Sequence, residues 1–113
     1  MLIKKSEAVK HQNSNDCTVW EYELPNKNIS FATAFIDGRY PEIKRVVNLS
    51  CEEIYFIISG SGIIHSEKGN YEINEGDFYY FNKGEKYWVE GNKLSLALLN
   101  IPKWSPEQHK SVE

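Results

Sequence analysis

Apolar and polar residues alternate along most of this chain. Over residues 17–24, Trp20, Tyr22 and Leu24 fall on one face. Over residues 29–36, Ile29, Phe31, Thr33 and Phe35 share a face, with Ala32, Ala34 and Ile36 opposite. Period-two spacing of this kind predicts half-buried strands. The same pattern marks 45–49, 53–58, 62–66, 71–73, 78–81, 87–90 and 94–100. No segment keeps apolar residues at i, i+3 and i+4 through three turns, so no long helix is expected. Clusters of Gly, Asn, Asp and Pro separate the runs, at 25–28, 60–62, 68–70, 74–77, 82–85 and 90–92, and predict turns. About nine short, evenly spaced strands specify a sandwich or barrel. Open sheet edges invite aggregation, which favours closure. From residue 102 the pattern lapses. Pro102 and Pro106 flank Trp104, and the segment 102–113 is expected to be an irregular arm held by that ring.

The length of 113 residues fits one domain, with its core over about 17–101. Aromatic residues make up 13% of the chain, which favours strands and a core or pocket rich in rings. A net charge of -3 gives no field for nucleic acid or an anionic membrane. Cys17 and Cys51 form neither a disulfide framework nor a CxxC pair. The first ten residues lack the apolar stretch of a signal peptide, and no apolar run approaches about 18 residues. A soluble, cytoplasmic protein with reduced thiols is expected.

Several turns then carry a resemblance. Residues 53–62 (EIYFIISGSG), Glu75-Gly76-Asp77 and Asn82-Lys83-Gly84-Glu85 resemble the two motifs of the small single-domain cupins, over about residues 38–92. The first motif ends in a glutamate followed by a glycine, here Glu53 and Gly60. The second spaces its glycines as Gly76 and Gly84 are spaced, with Asn82 where its proline stands. The resemblance implies an all-β, cupin-type jelly-roll barrel, and commonly a homodimer. It departs at the metal. The paired histidines would fall at Val46 and Asn48, or at Val47 and Leu49, and the last histidine at Tyr87. Three of the four usual ligands are absent, and one carboxylate does not hold a transition metal against water. The cupin oxalate-decarboxylase and dioxygenase chemistries are therefore not carried over.

What remains is a set of organic groups. Glu53, at the family's ligand position, is expected to face the barrel interior, where burial raises its pKa and suits it to acid–base work. Tyr87 stands at the missing imidazole's position, and both residues are candidate catalytic groups. Tyr55 shares the face of Glu53 by strand parity. Asn48, Arg45 and His65 complete the candidate ligand-binding set. Asn48 is polar in an apolar stretch and needs a partner. Arg39, Lys44 and Arg45 either ring the pocket mouth to recognise an anion or form a solvated edge. His65 lies inside or outside according to a one-residue difference in the 60–62 turn. Inside, it would pair with Glu53. His11 and His109 lie in polar and terminal segments. Metal-free sugar epimerases among jelly-roll relatives use a histidine base, and no such histidine is identified at this level. The expected function is metal-independent binding of a small polar metabolite, a sugar or organic acid, with isomerase-, epimerase- or lyase-type proton transfer. Two alternatives stand beside it: a non-catalytic sensing or dimeric interaction module, and a variant metal site using Glu53 with His65 or Cys51.

Overall fold

The computed structural model describes all 113 residues, and its regular backbone is almost entirely strand. The strands are β1 (Val9–Ser14), β2 (Cys17–Tyr22), β3 (Ser30–Tyr40), β4 (Arg45–Asn48), β5 (Glu52–Ser66), β6 (Gly69–Asn74), β7 (Phe78–Phe81), β8 (Lys86–Ile101) and β9 (His109–Val112). Two short 3-10 turns, Lys5–Glu7 and Pro106–Gln108, complete the elements. All nine strands belong to one antiparallel sheet curled on itself, in the order β1-β2-β3-β8-β4-β9, with β5 bridging β8 to β6 and β7. No helix is long and apolar enough to cross a membrane.

The two long strands, β5 and β8, explain how a sheet becomes a barrel. The sequence predicts turns at 60–62 and 90–92, but both segments are bulges inside continuous strands. The β5–β8 register slips on either side of Ser59, and Gly60 adopts φ +77°. A side chain on Gly60 would meet the backbone carbonyl of Lys93, which itself sits at φ 49°. The bulges therefore stack across the strand pair and bend both strands together. Each bulge also inverts strand parity. On β5, Glu53, Tyr55 and Ile57 face inward before it, and Ile64 after it. On β8, Tyr87 and Val89 face inward before it, and Leu94, Leu96 and Asn100 after it.

Ile57, Ile64, Ile73, Val89, Leu94 and Leu96 fill one half of the interior. In the other half, β3 turns its small residues, Ala32 and Ala34, inward beside Cys17 and Val19 of β2. These small side chains leave space opposite Glu53, Tyr55 and Tyr87. The C-terminal arm is irregular over residues 102–105 and then ends in β9, which pairs with β4 and brings His109 beside Asn48. At the other end of the chain, β1 extends the sheet beyond the expected start of the core at residue 17.

Candidate functional site

A cavity of about 100 Å³ occupies the half of the barrel left open by the alanines. Its inner wall carries Glu53, Tyr55, Tyr87 and Asn100, its side Tyr40 and His109, and its mouth Tyr22, Phe31 and Trp104. The arm is tied across this end. The Trp104 N–H donates to Ser30 Oγ (3.1 Å), the Lys103 N–H to the Lys27 carbonyl (3.2 Å), and Lys103 Nζ pairs with Glu23 (2.9 Å).

Glu53 is 6% exposed. Tyr87 Oη donates to its Oε1 (2.7 Å) and Asn100 Nδ2 to its Oε2 (2.9 Å). Burial raises its pKa, and the two donors only partly offset that. Glu53 is thus easier to protonate than an exposed carboxylate. Burial and the nearby Glu53 charge lift the Tyr87 and Tyr55 phenols well above their ordinary value. A ring cluster fixes these phenols: Phe81 packs 4.8 Å from Tyr55 and 4.2 Å from Tyr87, centroid to centroid. Cys17, also in the wall, is pushed by burial up to about 12, so its thiol stays protonated and unreactive.

On the side wall, Tyr40 Oη lies 3.2 Å from His109 Nε2, and His109 Nδ1 lies 2.9 Å from Asn48 Oδ1. Burial lowers the His109 pKa, leaving the ring neutral at neutral pH. Tyr40 stands near enough to Glu53 for the carboxylate charge to raise its own pKa, after burial. Tyr40 therefore shares the cavity wall with Glu53 and contacts the imidazole on β9.

The cavity gathers Glu53, Tyr87 and Tyr55, and places Asn48 directly behind it. It does not gather Arg45 or His65. Arg45 has the parity of Val47, away from the interior face of Val46 and Asn48, and its guanidinium Nε donates to the Glu113 main-chain oxygen (2.9 Å). His65 lies past the β5 bulge, where even-numbered residues face inward. It stacks on Trp88 (3.8 Å) outside the barrel and bonds Glu90 (2.8 Å) and Asn70 (3.0 Å). His65 therefore takes the outward alternative, and the Glu53–His65 pair that an inward ring would make is not formed. Arg39, over the Trp88 ring at 3.9 Å, also lies on that outer surface. His109, Tyr40 and Asn100 are additions. Asn100 was legible as an inward polar position once β8 is given its bulge. His109 carried no local signal, because only the β4–β9 pairing brings the arm into the wall.

No protein-family model matches the sequence, and no curated protein matches it. Solved structures do match. A uridine-bound variant of Streptomyces Pac13 superposes with a TM-score of 0.91 at 11% identity, covering 100% of this chain and 90% of Pac13. Pac13 is described as a nucleoside dehydratase. Ectoine synthase from P. lautus gives 0.76 at 16% identity, over 100% of this chain and 91% of that one. A variant of B. subtilis oxalate decarboxylase gives 0.80 at 19% identity, over 97% of this chain and 32% of that one. All are cupin barrels. The chain has the cupin fold. At these identities the likeness is one of fold.

The usual cupin metal needs several free N, O or S donors in a set geometry. Both Glu53 oxygens are taken by donors from Tyr87 and Asn100. Both His109 nitrogens are engaged, by Asn48 and Tyr40. The Cys51 thiol points to the Lys103 carbonyl at 3.7 Å. No three His, Cys, Asp or Glu side chains converge. This barrel's donor set does not fit a transition-metal ion.

Proposed function

We propose that this cupin binds a small polar metabolite in its barrel and moves protons on it without a metal, with Glu53 as acid and His109 as base. One arrangement carries the reading: a buried carboxyl whose pKa burial raises shares a cavity with an imidazole whose pKa burial lowers. Two groups of opposite role, held in different environments, are the requirement for acid–base catalysis at neutral pH. Lyase-type loss of water would use both in one direction. The His109 imidazole takes a proton from carbon, the new C=C forms as the C–O bond breaks, and the Glu53 carboxyl protonates the departing hydroxyl. Isomerisation and epimerisation would return a proton to carbon instead. Tyr87, Asn100 and Tyr55 would orient hydroxyl or carbonyl groups, and the rings at the mouth would cover the less polar part of the ligand. The nucleoside dehydratase activity given for Pac13, on the same fold, supports the lyase version.

The test begins with thermal-shift screening of sugars, nucleosides and hydroxy acids, since ligand binding raises stability by mass action. Hits are then incubated with enzyme and followed by NMR. Turnover should fall about 10²–10⁴-fold in Glu53→Gln and in His109→Gln. Full turnover in either folded variant would refute the assignment.

The outer surface supports self-association as a second property. Across β3, β8, β5 and β7, two rows of outward residues carry no charge: Thr33, Ala97, Phe56 and Phe78, then Phe31, Leu99, Ile54 and Tyr80. Phe78 is 60% exposed and Phe56 45%. These two apolar rows support an interface there, one that a second copy of the same face would fill.

A further inference from the structure

We infer that an amide relay, Gln108 to Asn48, sets which nitrogen of His109 carries the proton, and that it leaves Nε2 as the base facing Tyr40. The inference deepens the acid–base reading for its catalytic consequence, while the ring state itself stands on hydrogen bonding alone.

Hydrogen positions follow from tracing the network from a group that has no choice. The Ser50 backbone N–H is only a donor, and it lies 3.1 Å from Gln108 Oε1. That contact fixes which end of the Gln108 amide is oxygen. Gln108 Nε2 is then a donor, and it lies 3.0 Å from Asn48 Oδ1 as well as 3.1 Å from the Ser105 carbonyl. Turning the Asn48 amide over would set its NH₂ against the Gln108 NH₂, donor against donor. Asn48 therefore keeps its oxygen toward both Gln108 and His109. The nitrogen of His109 that faces this oxygen, Nδ1 at 2.9 Å, must be the one bearing hydrogen. In the neutral ring Nε2 then holds the lone pair, and the Tyr40 hydroxyl 3.2 Å away donates to it.

A second observation points the same way. Asn48 is 3% exposed, and its Nδ2 is the buried side-chain polar atom left without a partner. Such a group is normally satisfied by turning the amide. Here the relay forbids the turn, so the unmet donor is the consequence of holding His109 in one tautomer. Asn48 and Gln108 are positioning residues: neither faces the cavity, and both act through the ring. The base that results is aimed at the cavity, with a phenol on its lone pair that a substrate would displace or use.

The experiment is long-range ¹H–¹⁵N NMR of the His109 ring in the labelled full-length protein, with no ligand added. The expected spectrum shows Nδ1 protonated and Nε2 bare at neutral pH. Gln108→Glu should invert it. The glutamate keeps one oxygen on the Ser50 N–H and presents the other to Asn48, which turns and offers its NH₂ to Nδ1, moving the proton to Nε2. Asn48→Asp should retain Nδ1–H, because an aspartate accepts from both neighbours. A wild-type ring protonated at Nε2, or doubly protonated at neutral pH, overturns the relay. So does a folded Gln108→Glu protein with the wild-type ring pattern above the pH at which the new carboxyl ionises, or a folded Asn48→Asp protein with Nδ1 bare. The wild-type spectrum decides even where a variant does not fold. Absence of turnover on every substrate would refute the proposed activity and leave this ring state intact.

Discussion

The Tyr87 hydroxyl donates a 2.7 Å hydrogen bond to Glu53 Oε1, deep in the barrel wall. The two residues stand where metal-binding cupins, on the motif spacing, keep a carboxylate and an imidazole. The fold has brought the positions together as in a metal site, but the side chains meet each other. Burial raises the Glu53 pKa and the Tyr87 donor lowers it. Tyr87→Phe should therefore raise it further and destabilise the protein by about 1–3 kcal/mol, the usual range for an abandoned buried partner. A ¹³C titration of the Glu53 carboxyl checks this, and a downward shift in the variant would contradict it.

Glu53 should also shape stability against pH. Its folded pKa lies above the ordinary value of 4.5, so between those two values the folded state holds a proton that the unfolded state has released. Stability from this group is full below 4.5 and declines as pH rises toward the folded pKa. Each unit of separation is worth about 1.4 kcal/mol. Urea unfolding at pH 4 and pH 8 should show Glu53→Gln gaining on wild type at the higher pH. An offset that is the same at both values would mean that the carboxyl is not perturbed.

His109 should act in the opposite sense. Its folded pKa lies below 6.5, so the unfolded chain takes up a proton first as pH falls. Its contribution is present above 6.5 and is lost on acidification. In unfolding experiments between pH 7.5 and pH 5.5, wild type should lose more stability than His109→Gln. An equal loss would place His109 in contact with water or with a compensating charge.

Much of the fold was legible because strand alternation and turn residues are local signals. The inward carboxylate was legible too, since motif spacing and parity agree at Glu53. The misread turns have one physical source. Gly60 and Gly91 look like hairpin residues, yet each sits where a neighbouring strand's backbone leaves no room for a side chain, so they bend long strands without ending them. A bulge shifts parity by one, and that single step sends His65 outside and brings Asn100 in. Arg45 failed for a related reason: β4 is a four-residue strand, and its parity follows Val46 and Asn48. His109 depends on a contact 61 residues apart in sequence, which no local pattern encodes.

The uncharged outer face yields a last prediction. Phe56 and Phe78 are cross-strand partners at the β5–β7 end of that face, and both are about half exposed in the single chain. A homodimer, with twice the mass of the 13.1 kDa chain, should appear in size-exclusion chromatography with light scattering. Phe56→Lys with Phe78→Lys sets like charges against each other across a two-fold axis and removes ring area from the contact, so it should give a monomer. Neither residue faces the cavity, so the Glu53–Tyr87 and His109–Asn48 contacts should survive, and NMR of the two sites would show unchanged shifts. A wild-type monomer at all concentrations would remove the interface. A variant that stays dimeric would move the contact to another surface of the barrel.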